Sequence, residues 1–552
     1  MSDSAARTEL PHFPALPAQS PPGAGPSVTG GSGDGSATAP TARSGSRRRD
    51  VLRAGLGIAA AAWVPACTTS AAAAPAAGPD WSGFARDLDG LLVRPGQRQY
   101  DAARHLFQPQ FDAIKPAGVA YPSHRDDVRT CLAFAKRYRI PVAVRGGGHS
   151  YAGWSSGPGL VVDVSAMKKV SSGSTATIGA GARLIDVYAT LNRNGRTIPA
   201  GSCPTVGVTG LALGGGVGVT SRAYGLTCDS LTGAEIVTAD GRVLEVDERH
   251  HADLFWALRG GGGGNLGIVT ELHFRTHAAP DCSYAFLSWP WPKAAAVLRA
   301  WQKWAPKAPD ALWANLHLTG TAGTPRVGIG ANYLGTQSGL RNHLDRLVDA
   351  VGAQPTSSVV RTRSHYDTML VMAGASGWTS AQCHLPGKLP GQNPAGRTAR
   401  ASYAARSAFY TRPLSATGIA ALLKQVERYA RIAPSGGSGS IAFDALGGAP
   451  NRVRPQDTAF VHRDSLFLAQ YIANWPGNAS SSGIKRSRAW LDTLHDAMLP
   501  HASGQAYQNY IDPRLSDWKR AYYGANLGRL TEVKSAYDPG RVFRFPQAIP
   551  TR

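Results

Sequence analysis

The sequence predicts an α+β protein, and three observations carry that reading. Short apolar runs and amphipathic stretches alternate between about residues 117 and 274, a pattern of short strands interleaved with helices. Glycine (64) and proline (38) are abundant in a chain of 552 residues, which calls for many turns and close backbone approaches rather than a helical bundle. No apolar run reaches the ~20 residues needed to cross a bilayer, and the six cysteines show no Cys-x-x-Cys spacing, which excludes a disulfide scaffold and a zinc site.

The elements follow in order. A lead-in over 108–120 ends in Ala117-Gly118-Val119-Ala120-Tyr121-Pro122. Residues 126–139 read as a helix, with Val128, Leu132, Phe134, Ala135 and Tyr138 forming its apolar face. Pro141-Val142-Ala143-Val144-Arg145 is a short buried strand that runs into Gly146-Gly147-Gly148-His149-Ser150. Strands are expected over 160–164 and 175–178, and a helix over 184–194 that Gly195 stops. Residues 234–238 and 243–246, joined through Asp240-Gly241, read as a hairpin. A short helix over 253–259, the glycines 260–264 and a strand over 267–274 complete this half. Beyond 281, Trp289, Trp291, Trp301, Trp304 and Trp313 suit either stacking on a sugar or aromatic ring or ordinary core packing. The Pro- and Gly-rich segment 385–398 reads as a mobile loop.

The first eighty residues differ. Residues 11–45 are rich in Pro, Gly, Ser, Ala and Thr without apolar periodicity, a composition expected to be disordered. Ser46-Arg47-Arg48-Arg49-Asp50-Val51-Leu52 precedes a weakly apolar stretch from Ala54 to Val64, the form of a twin-arginine export signal. Export is therefore expected, with Cys67 lipidated or the chain cut among the alanines near 71–77. Five cysteines then remain, an odd number that leaves at least one thiol without a partner within the chain. The net charge is +22, but the cations are scattered along the sequence with no interleaved aromatics. The excess reads as a solvated surface that can steer an anionic substrate, not as a nucleic-acid stripe.

Three glycine clusters compete for an anion. Gly262-x-Gly264-x-x-Gly267 matches G-x-G-x-x-G in letters, but a helix precedes it and a strand follows, the reverse of the dinucleotide fingerprint. No cluster ends in Gly-Lys-Ser/Thr, so none is a P-loop. Bare backbone N–H groups in three loops can cradle one extended ligand with a pyrophosphate, or the loops can be turns and bulges only.

The motifs resemble those of a known family. Arg145-Gly146-Gly147-Gly148-His149-Ser150, then Pro199-Ala200-Gly201-Ser202-Cys203-Pro204-Thr205-Val206-Gly207-Val208-Thr209-Gly210, then Leu213-Gly214-Gly215-Gly216-Val217-Gly218 resemble the berberine bridge enzyme-like flavin oxidases. Asn509-Tyr510-Ile511-Asp512, Tyr522-Tyr523-Gly524-Ala525-Asn526 and Gln547-Ala548-Ile549-Pro550 agree near the C-terminus. The resemblance implies the two-lobed FAD-binding fold of the vanillyl-alcohol oxidase/p-cresol methylhydroxylase (PCMH) type, with an α/β substrate domain built on an antiparallel sheet. The expected parts are an N-terminal extension (1–45), the signal and linker (46–80), the FAD-binding domain (105–280), the substrate domain (281–504) and a C-terminal segment (505–552) returning to the FAD domain.

It also implies a bicovalent flavin, with His149 on the 8α-methyl and Cys203 on C6. Gly146, Gly147, Gly148, Ser150, Gly207, Gly210, Gly214, Gly215, Gly216, Gly218, Gly264, Gly267, Val269, Arg145 and Asn509 are expected along FAD. Two electron-withdrawing tethers would raise the flavin potential, ~30 mV being about 1.4 kcal/mol for a two-electron couple. Tyr510 is the implied base, flanked by Tyr507. A phenol of pKa ≈ 10 needs its anion stabilised by about three units, roughly 4 kcal/mol, to act near neutrality. Gln470, where some relatives carry a carboxylate, favours simple dehydrogenation over ring closure. The small Val206 beside the flavin is compatible with dioxygen access. The implied activity is oxidation of an alcohol carbon in a sugar, glycoside or secondary metabolite with release of hydrogen peroxide. A tailoring oxidase and a flavin-binding protein without turnover are the alternatives.

Overall fold

The computed structural model describes residues 78–323 and 325–552; Arg47–Arg49, Cys67 and the alanines near 71–77 lie outside the described residues. A small four-stranded sheet comes first, in the order Leu91–Val93, Gly118–Tyr121, Leu160–Asp163, Val142–Arg145. Its last three strands are parallel. Leu160, Val161 and Val162 are fully buried, as expected for a strand covered on both faces. Helix Arg125–Arg137 makes the return between parallel strands and buries Val128, Cys131, Leu132 and Phe134. A second four-stranded sheet is antiparallel, ordered Thr175–Gly179, Ile268–Arg275, Leu231–Val237, Val243–Asp247.

The chain then builds a seven-stranded antiparallel sheet in the order Ser357–Arg363, Cys282–Trp289, Arg326–Tyr333, Leu312–Thr321, Ser438–Ala445, Phe467–Trp475, Ser402–Tyr410. Period-two alternation gives it two different faces. Leu312, Ala314, Leu316 and Leu318 join a core beneath the helices, whereas Trp313 joins the core shared with the first half of the chain. Helices Ala294–Trp304, Gln337–Val351, Ala416–Ile432 and Ser481–Met498 cover the first face. The last three start at Thr336, Ser415 and Ser480, whose hydroxyls each accept an early helical N–H, satisfying a donor the helix itself leaves unpaired.

Two expectations resolve here. Trp289, Trp301 and Trp313 are buried, and Trp291 and Trp304 pack against the helix-side core; all five are packing residues. Segment 385–398 is tied down rather than free. Leu385–Pro386 pairs with Gln392–Asn393, Thr398 Oγ1 donates to Cys383 O, and His384 Nε2 lies 3.0 Å from Asp186 Oδ1. All five described cysteines are free thiols.

The C-terminal segment is held by a buried cation. Lys534, 0 % exposed, donates to Asp538 Oδ2 (2.6 Å), Asn265 O (2.5 Å) and Phe543 O (2.8 Å). The ammonium thus ties the tail to the loop that carries Gly262 and Gly264. Asp538→Ala is expected to cost about 3–5 kcal/mol, because it strands a desolvated charge. Replacing both partners by apolar residues should cost much less. Denaturant unfolding of the two variants checks this.

Candidate active site

A cavity of about 430 Å³ lies where the glycine loops, the seven-stranded sheet and the C-terminal segment meet, within the ~300–1,000 Å³ range of ligand pockets. The first loop follows Val142–Arg145. A Cβ on Gly147 would stand 2.3 Å from Gly207 N, and one on Gly207 would stand 2.5 Å from Gly147 N. Two backbones touch at a point where only glycine fits. That contact sets the His149 loop against the Cys203–Gly207 turn. His149 Nε2 lies 2.9 Å from Thr205 Oγ1, and its ring stacks on Phe107 at 4.0 Å and 20°. Burial, reinforced by the positive charge of Arg183, lowers His149 to about 3. Its imidazole is neutral at ordinary pH and can act as a nucleophile. Burial raises the Cys203 thiol to about 12. His149 and Cys203 both line the cavity.

The remaining wall is mostly apolar, with bare glycine backbone between the side chains. Gly146, Gly207, Gly210, Gly264, Gly267 and Val269 line it, with Gly147, Gly148 and Ser150 beside them. A Cβ on Gly146 or Gly210 would meet no atom within 4 Å, so these two glycines leave open space at the cavity wall. The hydroxyls of Ser155 and Ser156 are buried in the same wall without a hydrogen-bond partner. Bare loops, orphaned hydroxyls, a neutral imidazole and a thiol suit a long and partly aromatic ligand with polar groups such as FAD.

Some expected contacts fall elsewhere. Arg145 is turned away from the cavity. Its Nε meets Asp163 Oδ2 at 2.7 Å, and its Nη2 donates to Ala103 O at 2.7 Å. Gly214, Gly215, Gly216 and Gly218 are not on the wall, which is formed there by Leu213 and Val217. These glycines give packing room instead. A Cβ on Gly214 would lie 2.0 Å from Asn509 Oδ1, and one on Gly218 would lie 1.9 Å from Ala200 O.

Tyr507 is the post of that bend. Its hydroxyl accepts from Gly216 N (2.9 Å), Val217 N (3.3 Å) and Asn509 Nδ2 (2.9 Å). Asn509 also donates to Leu211 O. Both residues reach the cavity wall, and their hydrogen bonds hold the glycine bend in place.

Tyr510 lines the cavity and stacks on Tyr151 at 5.3 Å and 4°. Tyr151 is a residue the sequence reading missed. Its hydroxyl accepts from Gln470 Nε2 at 2.6 Å, so Gln470 contacts Tyr151 and is not itself on the cavity wall. Tyr403 meets Tyr151 edge-on at 5.1 Å. Burial drives the Tyr510 hydroxyl well above its ordinary value, and the nearby Tyr151 and Asp444 add to the rise. The stabilised phenolate required by the sequence reading is therefore not supplied by the protein alone. Asp444 was also missed. It lies on Ser438–Ala445, two residues from Ala442, the cross-strand partner of Gln470, and burial raises its carboxyl to about 7.

Two family models match: residues 116–247 fit one described as FAD binding domain, and residues 506–550 fit one described as berberine and berberine like. The chain is 34% identical over 472 residues to the uncharacterized FAD-linked oxidoreductase YgaK of Bacillus subtilis, spanning 84% of this chain and 97% of that protein. It is 30% identical over 459 residues to a chitooligosaccharide oxidase of Gibberella zeae, covering 79% and 87%. Among solved structures, wild-type Physcomitrella patens BBE-like 1 aligns with a TM-score of 0.76 at 29% identity, over 85% of this chain and 99% of that one. With its glycine-lined cavity, its neutral histidine and its paired tyrosines, the chain belongs to the berberine bridge enzyme-like family of FAD-linked oxidoreductases.

Proposed function

We propose that the protein is an oxidase of oligosaccharides, which oxidises a sugar hydroxyl carbon and passes the electrons to dioxygen. One observation carries this reading. Tyr510, held face to face by Tyr151 and lying within the field of Asp444, shares a cavity wall with His149 and Cys203. The chitooligosaccharide oxidase relative supports a carbohydrate donor. FAD, when bound, supplies the acceptor for a hydride from the substrate carbon and returns those electrons to dioxygen as hydrogen peroxide.

His149 and Cys203 would hold the cofactor, both covalently. The neutral imidazole is already in its nucleophilic form, whereas the thiol must lose its proton as the bond forms. Among the described residues no hydrogen bond joins Tyr510 to Asp444 in the free protein, so with substrate bound the Tyr510 hydroxyl would have to close that gap to take the substrate proton as its own moves toward the Asp444 carboxylate. A carboxyl near 7 is matched to such a transfer at neutral pH. Gln470 fixes Tyr151 through its amide, and Tyr151 fixes the plane of Tyr510. With no carboxylate at position 470, dehydrogenation is favoured over ring closure.

The test is a donor panel against the full-length flavoprotein. Chito- and cello-oligosaccharides are expected to bleach the flavin anaerobically and to yield hydrogen peroxide in air. Bleaching by aromatic alcohols or amines alone would assign a tailoring oxidase, and a flavin that no donor bleaches would leave a binding protein. The run Arg47-Arg48-Arg49 supports export before turnover; replacing Arg47 and Arg48 with lysine is expected to retain the folded flavoprotein in the cytoplasm, as fractionation would measure.

A further inference from the structure

Cations that look scattered along the sequence gather on the helical side of the seven-stranded sheet. Strands Ser402–Tyr410 and Ser438–Ala445 both pair antiparallel to Phe467–Trp475. Helix Ala416–Ile432 connects the first two, and helix Ser481–Met498 follows the third, so the two helices run in opposite directions. The second half of one lies beside the first half of the other, where Tyr429 Oη meets Ser487 Oγ at 3.1 Å. Helix Ala294–Trp304 begins at the same end, because Trp291 Nε1 donates to Glu427 Oε1 at 2.9 Å.

This end of the helix layer exposes Lys293, Lys424, Arg428, Arg431, Lys485 and Arg486. Among the described residues, none of the six makes an ion pair or a side-chain hydrogen bond. Arg488 adds a seventh cation, over the Trp475 ring at 5.4 Å. The acid in their midst, Glu427, is half-buried and engaged by Trp291. Asp492, further along, is held by Arg406 and Arg514. Three adjacent helices at interaxial spacings of 8–10 Å spread these charges over roughly 20 Å. Like charges held this close without counter-charges repel one another and concentrate an anionic polymer.

We propose that this patch binds a linear acidic polysaccharide. None of its exposed residues is aromatic, so it has no platform on which nucleic-acid bases could stack, and it recognises carboxylate charge along a chain. The patch lies on the sheet face opposite the one that carries Trp313, Asp444 and Gln470, which leaves the cavity open while the polymer is bound. The charge cluster stands apart from the proposed reaction. The choice of a glycan rests on the carbohydrate reading, and a binding measurement without turnover keeps the two separable.

The experiment titrates the full-length flavoprotein with polygalacturonate, with neutral dextran and duplex DNA as comparisons. Three proteins are used: wild type, K424E/R428E/K485E/R486E, and a charge-matched control, K115E/K136E/K168E/R193E, altered at exposed positions elsewhere. Polygalacturonate is expected to bind wild type and the control alike, in a salt-dependent manner. The patch variant should bind at least tenfold more weakly, since each lost cation removes counterion release. Flavin absorbance and oligosaccharide turnover should be equal in all three. Binding of wild type no tighter than to dextran, equal loss in the control, or tenfold preference for DNA would each overturn the proposal.

Discussion

Asp444→Asn is expected to slow substrate-driven bleaching of the flavin by about 10²–10⁴-fold, the range for loss of a general acid–base group. Burial raises the Asp444 carboxyl to about 7. The carboxylate, the form that accepts a proton, dominates above that value. The wild-type rate should therefore rise with pH through about 7 and level off, and the Asn variant should lose this inflection. Tyr510→Phe should lower the rate at least tenfold. In that variant the path from the substrate hydroxyl to Asp444 is cut, so the inflection near 7 should be lost as well, although Tyr510, raised far above neutrality, does not itself titrate there. Stability should move the opposite way. The folded carboxyl keeps a proton that the unfolded one releases near the ordinary carboxylate value. The Asp444 contribution is thus fully present at low pH and is lost as pH rises from about 4 to about 7. Asp444→Asn should match wild type in denaturation at pH 4 and exceed it at pH 8. An unchanged rate with an intact pH inflection would remove Asp444 from proton transfer.

The second large effect concerns the tethers. His149→Ala and Cys203→Ala should each yield a yellow acid precipitate, since one bond suffices to hold the ring system. The double variant should release all colour into the supernatant. Each single variant should also lower the flavin potential, with every ~30 mV amounting to about 1.4 kcal/mol of lost driving force. Mass spectrometry of peptides containing His149 and Cys203 locates the bonds. Wild-type pigment that washes out on acid precipitation would leave the flavin held by packing alone.

Local pattern made the scaffold legible. Helix Arg125–Arg137 and strands Val142–Arg145, Leu160–Asp163 and Ile268–Arg275 lie within a residue or two of where apolar spacing and glycine placed them. The loop carrying His149 was legible because close backbone approach demands glycine in sequence. Asp444 was not. In Ser440-Ile441-Ala442-Phe443-Asp444 it is one acid at the end of an ordinary alternation, and its importance comes from strands paired across the sheet. Tyr151 was hidden for the same reason, since Gln470 and Tyr510 approach it from far along the chain. Arg145 and the glycines 214–216 and 218 misled in the other direction. They sit inside the motif that marks the cavity, yet the charge of Asp163 accounts for Arg145, and close packing against Asn509, Phe460, Thr227 and Ala200 accounts for the four glycines.

Phe543, Phe545 and Pro546 belong to the same wall as His149, about four hundred residues further along the chain. A ribosome-bound polypeptide lacks a complete chamber until that stretch has emerged, and such long-range closure is intrinsically slow. Coenzyme capture is therefore among the final events of biosynthesis. A message truncated ahead of Phe543 should give a pale, pigment-free product, so colour in a fresh extract reports chains translated to the end.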